Sequence, residues 1–201
     1  MKKILASVAV VAALSTSAVA EESGYFAGLS WGYGSAGNKI SWLGLTSSGD
    51  EGRKGTSPLR FGVYGGYNQM FDNAFGARYY ASIDFGGNYT DGSNKPHLKA
   101  PWNLYVNADA IYNFTSGGVE FGAFGGLGLG YVNYEYVVDK QGKSKGGVDL
   151  GLNLGLRANY ELFGSKFTTE LYTRTGLYSS VKIYDQKINN SIIGLRTSYN
   201  F

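Results

Sequence analysis

The chain has 201 residues, 18 Lys and Arg against 15 Asp and Glu, one His and no Cys. Those counts exclude a disulfide scaffold and the common Cys/His metal centres, and they give no basic excess of the kind nucleic acid requires. Glycine (31), Tyr (17) and Phe (11) are abundant while Pro numbers only 3, so the glycine does not mark disorder.

The first twenty residues, MKKILASVAVVAALSTSAVA, place Lys2 and Lys3 before an apolar run from Ile4 to Leu14 and small residues at Ala18 and Ala20. This is the layout of a cleaved N-terminal signal peptide cut after Ala20; the run falls short of the ~20 residues a membrane-spanning helix needs. Residues 1–20 are therefore set apart, and 21–201 read as one domain.

Strict alternation dominates that domain. In 75–86, Phe75, Ala77, Tyr79, Ala81, Ile83 and Phe85 share one face, and Gly76, Arg78, Tyr80, Ser82, Asp84 and Gly86 the other. The segment 148–160 alternates in the same way. A period of two over a dozen residues predicts strands, long enough for a tilted crossing of a bilayer, which takes ~9–11 residues. Strands are predicted at 24–34, 59–70, 75–86, 102–114, 119–134, 148–160, 166–178 and 190–201. The fold class is all-β: an eight-stranded antiparallel transmembrane β-barrel of the outer membrane. Ten strands remain open, since 35–58 has room for another hairpin. The connections 35–58, 87–101, 135–147 and 179–189 are long, whereas 71–74, 115–118 and 161–165 are short. Bacterial barrels have short periplasmic turns and longer outer loops, which puts both termini in the periplasm.

The apolar faces are expected to meet lipid. Aromatics near strand ends (Tyr25, Trp31, Tyr33, Phe75, Phe85, Trp102, Tyr112, Tyr131, Tyr160, Phe167, Tyr199, Phe201) suit two interfacial girdles. A soluble lipocalin-like barrel is the alternative, but the other faces carry Gly, Asn, Arg and Asp, which could not pack a dry core.

The inward faces carry Arg60, Arg78, Arg157, Arg174 and Arg196 together with Asp84, Asp109, Glu120, Asp149 and Glu170. An eight-stranded barrel is just wide enough for side chains to fill it, and an unpaired buried charge costs several kcal/mol. The expectation is a lumen plugged by Arg–carboxylate pairs, with Glu120, Arg157, Glu170 and Arg196 as the best network. Gly122, Gly126, Gly128 and Gly130 would form an inward stripe leaving room for Tyr105 and Arg157. No G-x-G-x-x-G motif is present, so the stripe is not a nucleotide loop.

Catalytic chemistry finds little support. His97 sits in the loop segment GSNKPHLKA without a fixed partner; Glu120 and Glu170 would face a filled lumen that substrate cannot reach. No metal or cofactor site is expected. Among loop residues, Ile40, Trp42, Leu43 and Leu45 are apolar in a segment meant for water, either as a surface-contact patch or as the packed top of a hairpin. Lys140, Lys143 and Lys145 could touch anionic lipopolysaccharide.

The chain ends IIGLRTSYNF. Ile193, Leu195, Tyr199 and Phe201 share one face of the closing strand, and the terminal Phe with Tyr199 resembles the C-terminal signal of outer-membrane barrels. That resemblance implies recognition by the barrel assembly machinery. The whole mature chain also resembles the Helicobacter- and Campylobacter-type outer-membrane protein family, on GYFAGLSWGYG (24–34), FGARYYASIDFG (75–86), LYVNADAIYNF (104–114) and GLRTSYNF (194–201). Larger relatives add extracellular domains and act as adhesins or porins; this chain has no room for such a domain.

The reading is a small integral outer-membrane barrel with a plugged lumen, not an enzyme. It acts as envelope scaffold or surface-contact protein through its loops, in contact with outer-membrane lipid and lipopolysaccharide. A closed barrel has no free edges, so a monomer is expected. The alternatives are a narrow gated pore and, with less support, an outer-membrane lipid hydrolase near His97.

Overall fold

The computed structural model describes residues 21–37, 59–86, 88–89, 98–115, 117–138, 141–183 and 186–201. Every element among them is a strand: β1 (Gly24–Gly37), β2 (Leu59–Met70), β3 (Phe75–Phe85), β4 (Asn88–Tyr89), β5 (Leu98–Asn113), β6 (Val119–Val138), β7 (Gln141–Leu162), β8 (Ser165–Ser179), β9 (Lys182–Ile183), β10 (Gln186–Lys187) and β11 (Asn189–Asn200). The predicted signal peptide, residues 1–20, lies outside the described residues.

Eight of these strands are staves of a closed antiparallel barrel. The ladder runs β1-β2-β3-β5-β6-β7-β8-β11 and returns to β1. Closure pairs the two ends of the chain, from Phe26 opposite Asn200 to Gly37 opposite Asn189. β4 pairs with the loop end of β5, and β9 pairs with β10. The eight predicted strands are the eight staves.

The register explains which residues face where. Outward positions form continuous rows across neighbouring strands: Trp31 lies opposite Phe61, Phe61 opposite Phe85, and Phe85 opposite Trp102. Trp102 then stacks on Tyr131, with ring centroids 5.8 Å apart. Near the other end, Tyr160, Phe167 and Tyr199 form a second row, with centroids 6.0 and 5.6 Å apart. None of the twelve predicted girdle aromatics is buried. The two rows match the amphipathic zones of a bilayer, where such rings prefer to sit.

The turns are tight at the end of the barrel that holds residues 21–23 and Phe201, called the turn end below. Between β2 and β3, the Asp72 carboxylate accepts from the backbone N–H of Ala74 (2.7 Å) and Phe75 (2.6 Å). Between β7 and β8, Phe163 (φ 54°) and Gly164 (φ 74°) both take positive φ. That is the signature of the two-residue hairpin whose twist matches the strands.

At the opposite, loop end the strands outrun the sequence prediction. β6 extends to Val138 and β7 begins at Gln141, so much of the predicted loop 135–147 is paired, with Tyr136 opposite Lys143. Alternation is visible only where the two faces of a strand meet different surroundings; residues 142–145 of β7 are exposed at every position and need no apolar side. The predicted loop 179–189 also carries structure. Val181, Ile183 and Ile188 are buried against Tyr105, Val132 and Tyr134, so these three residues cap the barrel mouth.

Candidate functional site

The lumen is the most densely organised part of the molecule. All ten predicted inward charges are buried, each at most 3% exposed. They fall in three tiers, because neighbouring staves bring inward residues level at successive heights.

The middle tier centres on Glu170. Arg157 on β7 and Arg196 on β11 stand directly opposite it in the two ladders that flank β8. Arg196 Nε donates to one carboxylate oxygen, and Arg157 Nε lies 3.6 Å from the other. Arg78 reaches across the lumen to Glu170 (2.6 Å) and turns its second amine to Asp109 (2.7 Å), its cross-strand partner on β5. Arg196 also approaches Asp109 (3.8 Å) and donates to the Tyr80 hydroxyl (3.0 Å). Two carboxylates thus hold three guanidinium groups, and aromatic rings stabilise the excess positive charge. The Arg196 carbon lies 4.8–5.1 Å from the rings of Tyr64, Tyr80, Phe124 and Tyr172.

The loop-side tier is built on Arg174. It donates to Asp84 (3.1 Å), Ser82 (3.3 Å) and Asn153 (3.3 Å), and lies over the Tyr105 ring at 3.8 Å. Tyr105 donates to Asp149 (2.6 Å) and accepts from Asn190 (2.9 Å). Asp149 is therefore held by a phenol in this tier, while Arg60 packs along Gly34. The glycine stripe of β6 has the expected consequence. A methyl group at Gly130 would overlap the Tyr105 ring, and one at Gly122 would lie 3.1 Å from Arg157 Cγ.

The turn-end tier contains a residue the sequence reading did not single out. Glu21, 9% exposed, inserts its carboxylate between the strands. Arg157 donates to both its oxygens (2.7 and 2.9 Å), and Asn68 (3.2 Å), Asn113 (2.9 Å) and Asn159 (3.2 Å) add further donors. Glu120 stands apart from the expected network. It is paired with Asn159 in the ladder, and the backbone N–H of Glu21 faces its carboxylate.

The sequence reading turned Tyr80 and Tyr105 inward but missed the rest of the lumen's aromatic half: Phe26, Tyr64, Phe124 and Tyr172 are also buried inside. Their signal was present, because each occupies an inward position of the alternation. Glu21 had a weaker signal, its place just after the predicted cut. Ile40, Trp42, Leu43, Leu45, His97 and Lys140 lie outside the described residues; Lys143 and Lys145 are exposed on the β6–β7 hairpin. The closing-strand residues Leu195, Tyr199 and Phe201 point outward, 39%, 39% and 76% exposed, and Ile193 is half-buried.

Filled from end to end by paired charges, amides and rings, and closed by an apolar cap, this lumen holds a packed core. The solved structure of Ail, the attachment invasion locus protein of Yersinia pestis, in complex with the heparin analogue sucrose octasulfate, is similar in fold. The identity is 16%, the match covers 89% of this chain and 99% of that one, and the TM-score is 0.50. Neisserial surface protein A is similar as well, at 13% identity over 90% of this chain and 100% of that one, with a TM-score of 0.52. No curated protein matches the chain. Residues 6–201 match the model of the outer membrane protein beta-barrel domain, and the chain belongs to that family of outer-membrane proteins.

Proposed function

We propose that this small outer-membrane barrel works as a rigid envelope scaffold that presents surface loops for contact, rather than as a conduit or an enzyme. The observation that carries the reading is the continuity of the lumen packing: Glu21 and its asparagines, then the Glu170 tier, then Arg174, then the cap of Val181, Ile183 and Ile188. A filled interior leaves outer surfaces and loops to make contacts.

The same reading places the short turns and both termini in the periplasm, since short turns face that side in bacterial barrels. It takes residues 1–20 as a signal peptide removed after Ala20. It assigns the outward row Ile193, Leu195, Tyr199 and Phe201 to recognition by the barrel assembly machinery, and takes the barrel as monomeric. The segments 24–34, 75–86, 104–114 and 194–201 favour the Helicobacter- and Campylobacter-type branch of outer-membrane proteins. Lys143 and Lys145, exposed on the β6–β7 hairpin, are positioned for anionic lipid headgroups.

Planar-bilayer recording of the refolded protein tests the central point. A quiet membrane is expected. Discrete conductance steps that grow when Arg157 or Glu170 is neutralised would show a gated pore and overturn it. The non-enzymatic reading is tested separately: acyl hydrolysis of phospholipid that disappears in His97→Ala would overturn it.

A further inference from the structure

Glu21 is fixed by more than its side chain. Its carboxylate is gripped by donors from β2, β5 and β7, which immobilises its backbone inside the turn end. There the backbone N–H faces the Glu120 carboxylate. Glu120 is 3% exposed, and its Oε2 has no hydrogen-bond partner. A buried carboxylate oxygen without a donor is costly and calls for an explanation. With Glu21 added, the buried carboxylates of the lumen outnumber its arginines by one among the described residues.

Both anomalies have one remedy. Cleavage after Ala20, the processing step proposed above, hydrolyses the Ala20–Glu21 peptide bond: the carbonyl leaves with the signal peptide, and the Glu21 nitrogen becomes an ammonium group. An amide N–H has one proton to donate, whereas an ammonium has three and a full charge. We propose that the mature N-terminal ammonium is a structural cation of the lumen, paired with Glu120, so that signal removal completes the charge balance and latches the turn end of the barrel. A cut one residue away would move the ammonium by about 3.8 Å, the spacing of successive Cα atoms, or delete Glu21 altogether. The cleavage site and its receptor are thus matched in register.

The inference rests on the processing reading, and the two are tested separately. Intact mass of the protein purified from outer membranes gives its first residue; a start other than Glu21 overturns the processing reading. The latch is tested on refolded chains whatever that start is. One begins at Glu21, released from a fusion by a protease that leaves no extra residue, and the other begins Gly-Ser-Glu21. Glu120→Gln should lower the urea midpoint of the first chain and leave the second unchanged or raised. Equal effects in both would overturn the latch.

A second readout does not need the variant to fold. A carboxylate beside an amine holds it in the charged, unreactive form, so the α-amine of the first chain should react with an acylating reagent at pH 7 about tenfold more slowly when folded than in urea. Labelling at the same rate in both states would overturn the latch.

Discussion

Arg157 and Glu21, 136 residues apart in the chain, meet through two hydrogen bonds of 2.7 and 2.9 Å that close the turn end of the lumen. The pair is two-pronged, the geometry in which a guanidinium holds a carboxylate most firmly. Replacing Arg157 with Leu leaves Glu21 buried without its cation and should destabilise the barrel by roughly 3–5 kcal/mol. Glu21→Ala should cost less, because Arg157 keeps Glu170 at 3.6 Å. Urea unfolding in lipid vesicles, followed by tryptophan fluorescence, gives the order. Equal losses would mean that the Arg157–Glu170 contact adds nothing beyond the Arg157–Glu21 pair.

Glu170 and Asp84 are both buried, but their surroundings differ. Glu170 is shared by Arg78, Arg157 and Arg196, whereas the ion pair at Asp84 is with Arg174. Glu170→Gln leaves Arg78 and Arg196 to share Asp109 and Arg157 to rely on Glu21, and should cost more than Asp84→Asn. The same unfolding assay compares them. A larger loss at Asp84 would place the electrostatic centre of the lumen in the loop-side tier.

Glycines offer a packing test with its own control. A methyl group at Gly130 would overlap Tyr105, and the phenol would be pushed off Asp149. Gly130→Ala should destabilise by about 1–3 kcal/mol, the usual cost of overpacking. Gly142 has nothing within 4 Å of a built methyl, so Gly142→Ala should leave stability unchanged. A harmless Gly130→Ala would mean that Tyr105 has room to retreat.

Asp72 sets a pH dependence outside the membrane-spanning strands. Hydrogen bonds from the backbone of Phe75 and of Ala74 lower its carboxyl below the usual value of 3.8. A lowered folded-state value means that the turn's extra stability is present above the unfolded pKa. It is lost as pH falls through the folded one. Amide exchange at Ala74 and Phe75 should therefore become less protected as pH drops below about 4, the ordinary Asp value. In Asp72→Asn that acid-dependent loss should disappear. Persistence of the same pH profile in the variant would assign it to another group.

The staves were readable because lipid and lumen impose opposite demands on adjacent residues. Ala81 and Ser82, or Leu195 and Arg196, differ in polarity because one points out and the other in. The signal fails where that contrast ends. β7 begins seven residues before the predicted 148 because residues 142–145 of that arm are exposed at every position and so show no apolar side. Individual lumen contacts were hidden for another reason. Arg196 and Glu170 are level only in the β8–β11 register, which alternation does not specify, and Arg78 reaches Glu170 across the barrel. The cap of Val181, Ile183 and Ile188 escaped because an alternation as short as Val181 and Ile183 cannot be separated from a loop.

The β1–β11 seam has a kinetic consequence. Its partners stand more than 150 residues apart in sequence, Phe26 with Asn200 and Gly37 with Asn189, so closure cannot begin until residues 189–200 have been made. Long loops must close before those contacts form, which makes such topologies slow to fold. During that wait, residues 189–200 offer an unpaired strand edge, open to any partner that binds by adding a strand. Closure consumes the edge. The backbone of the last strand is thus available for recognition only during a limited period of the molecule's life, and a mutation that slows seam formation would lengthen that period without altering one contact of the finished barrel.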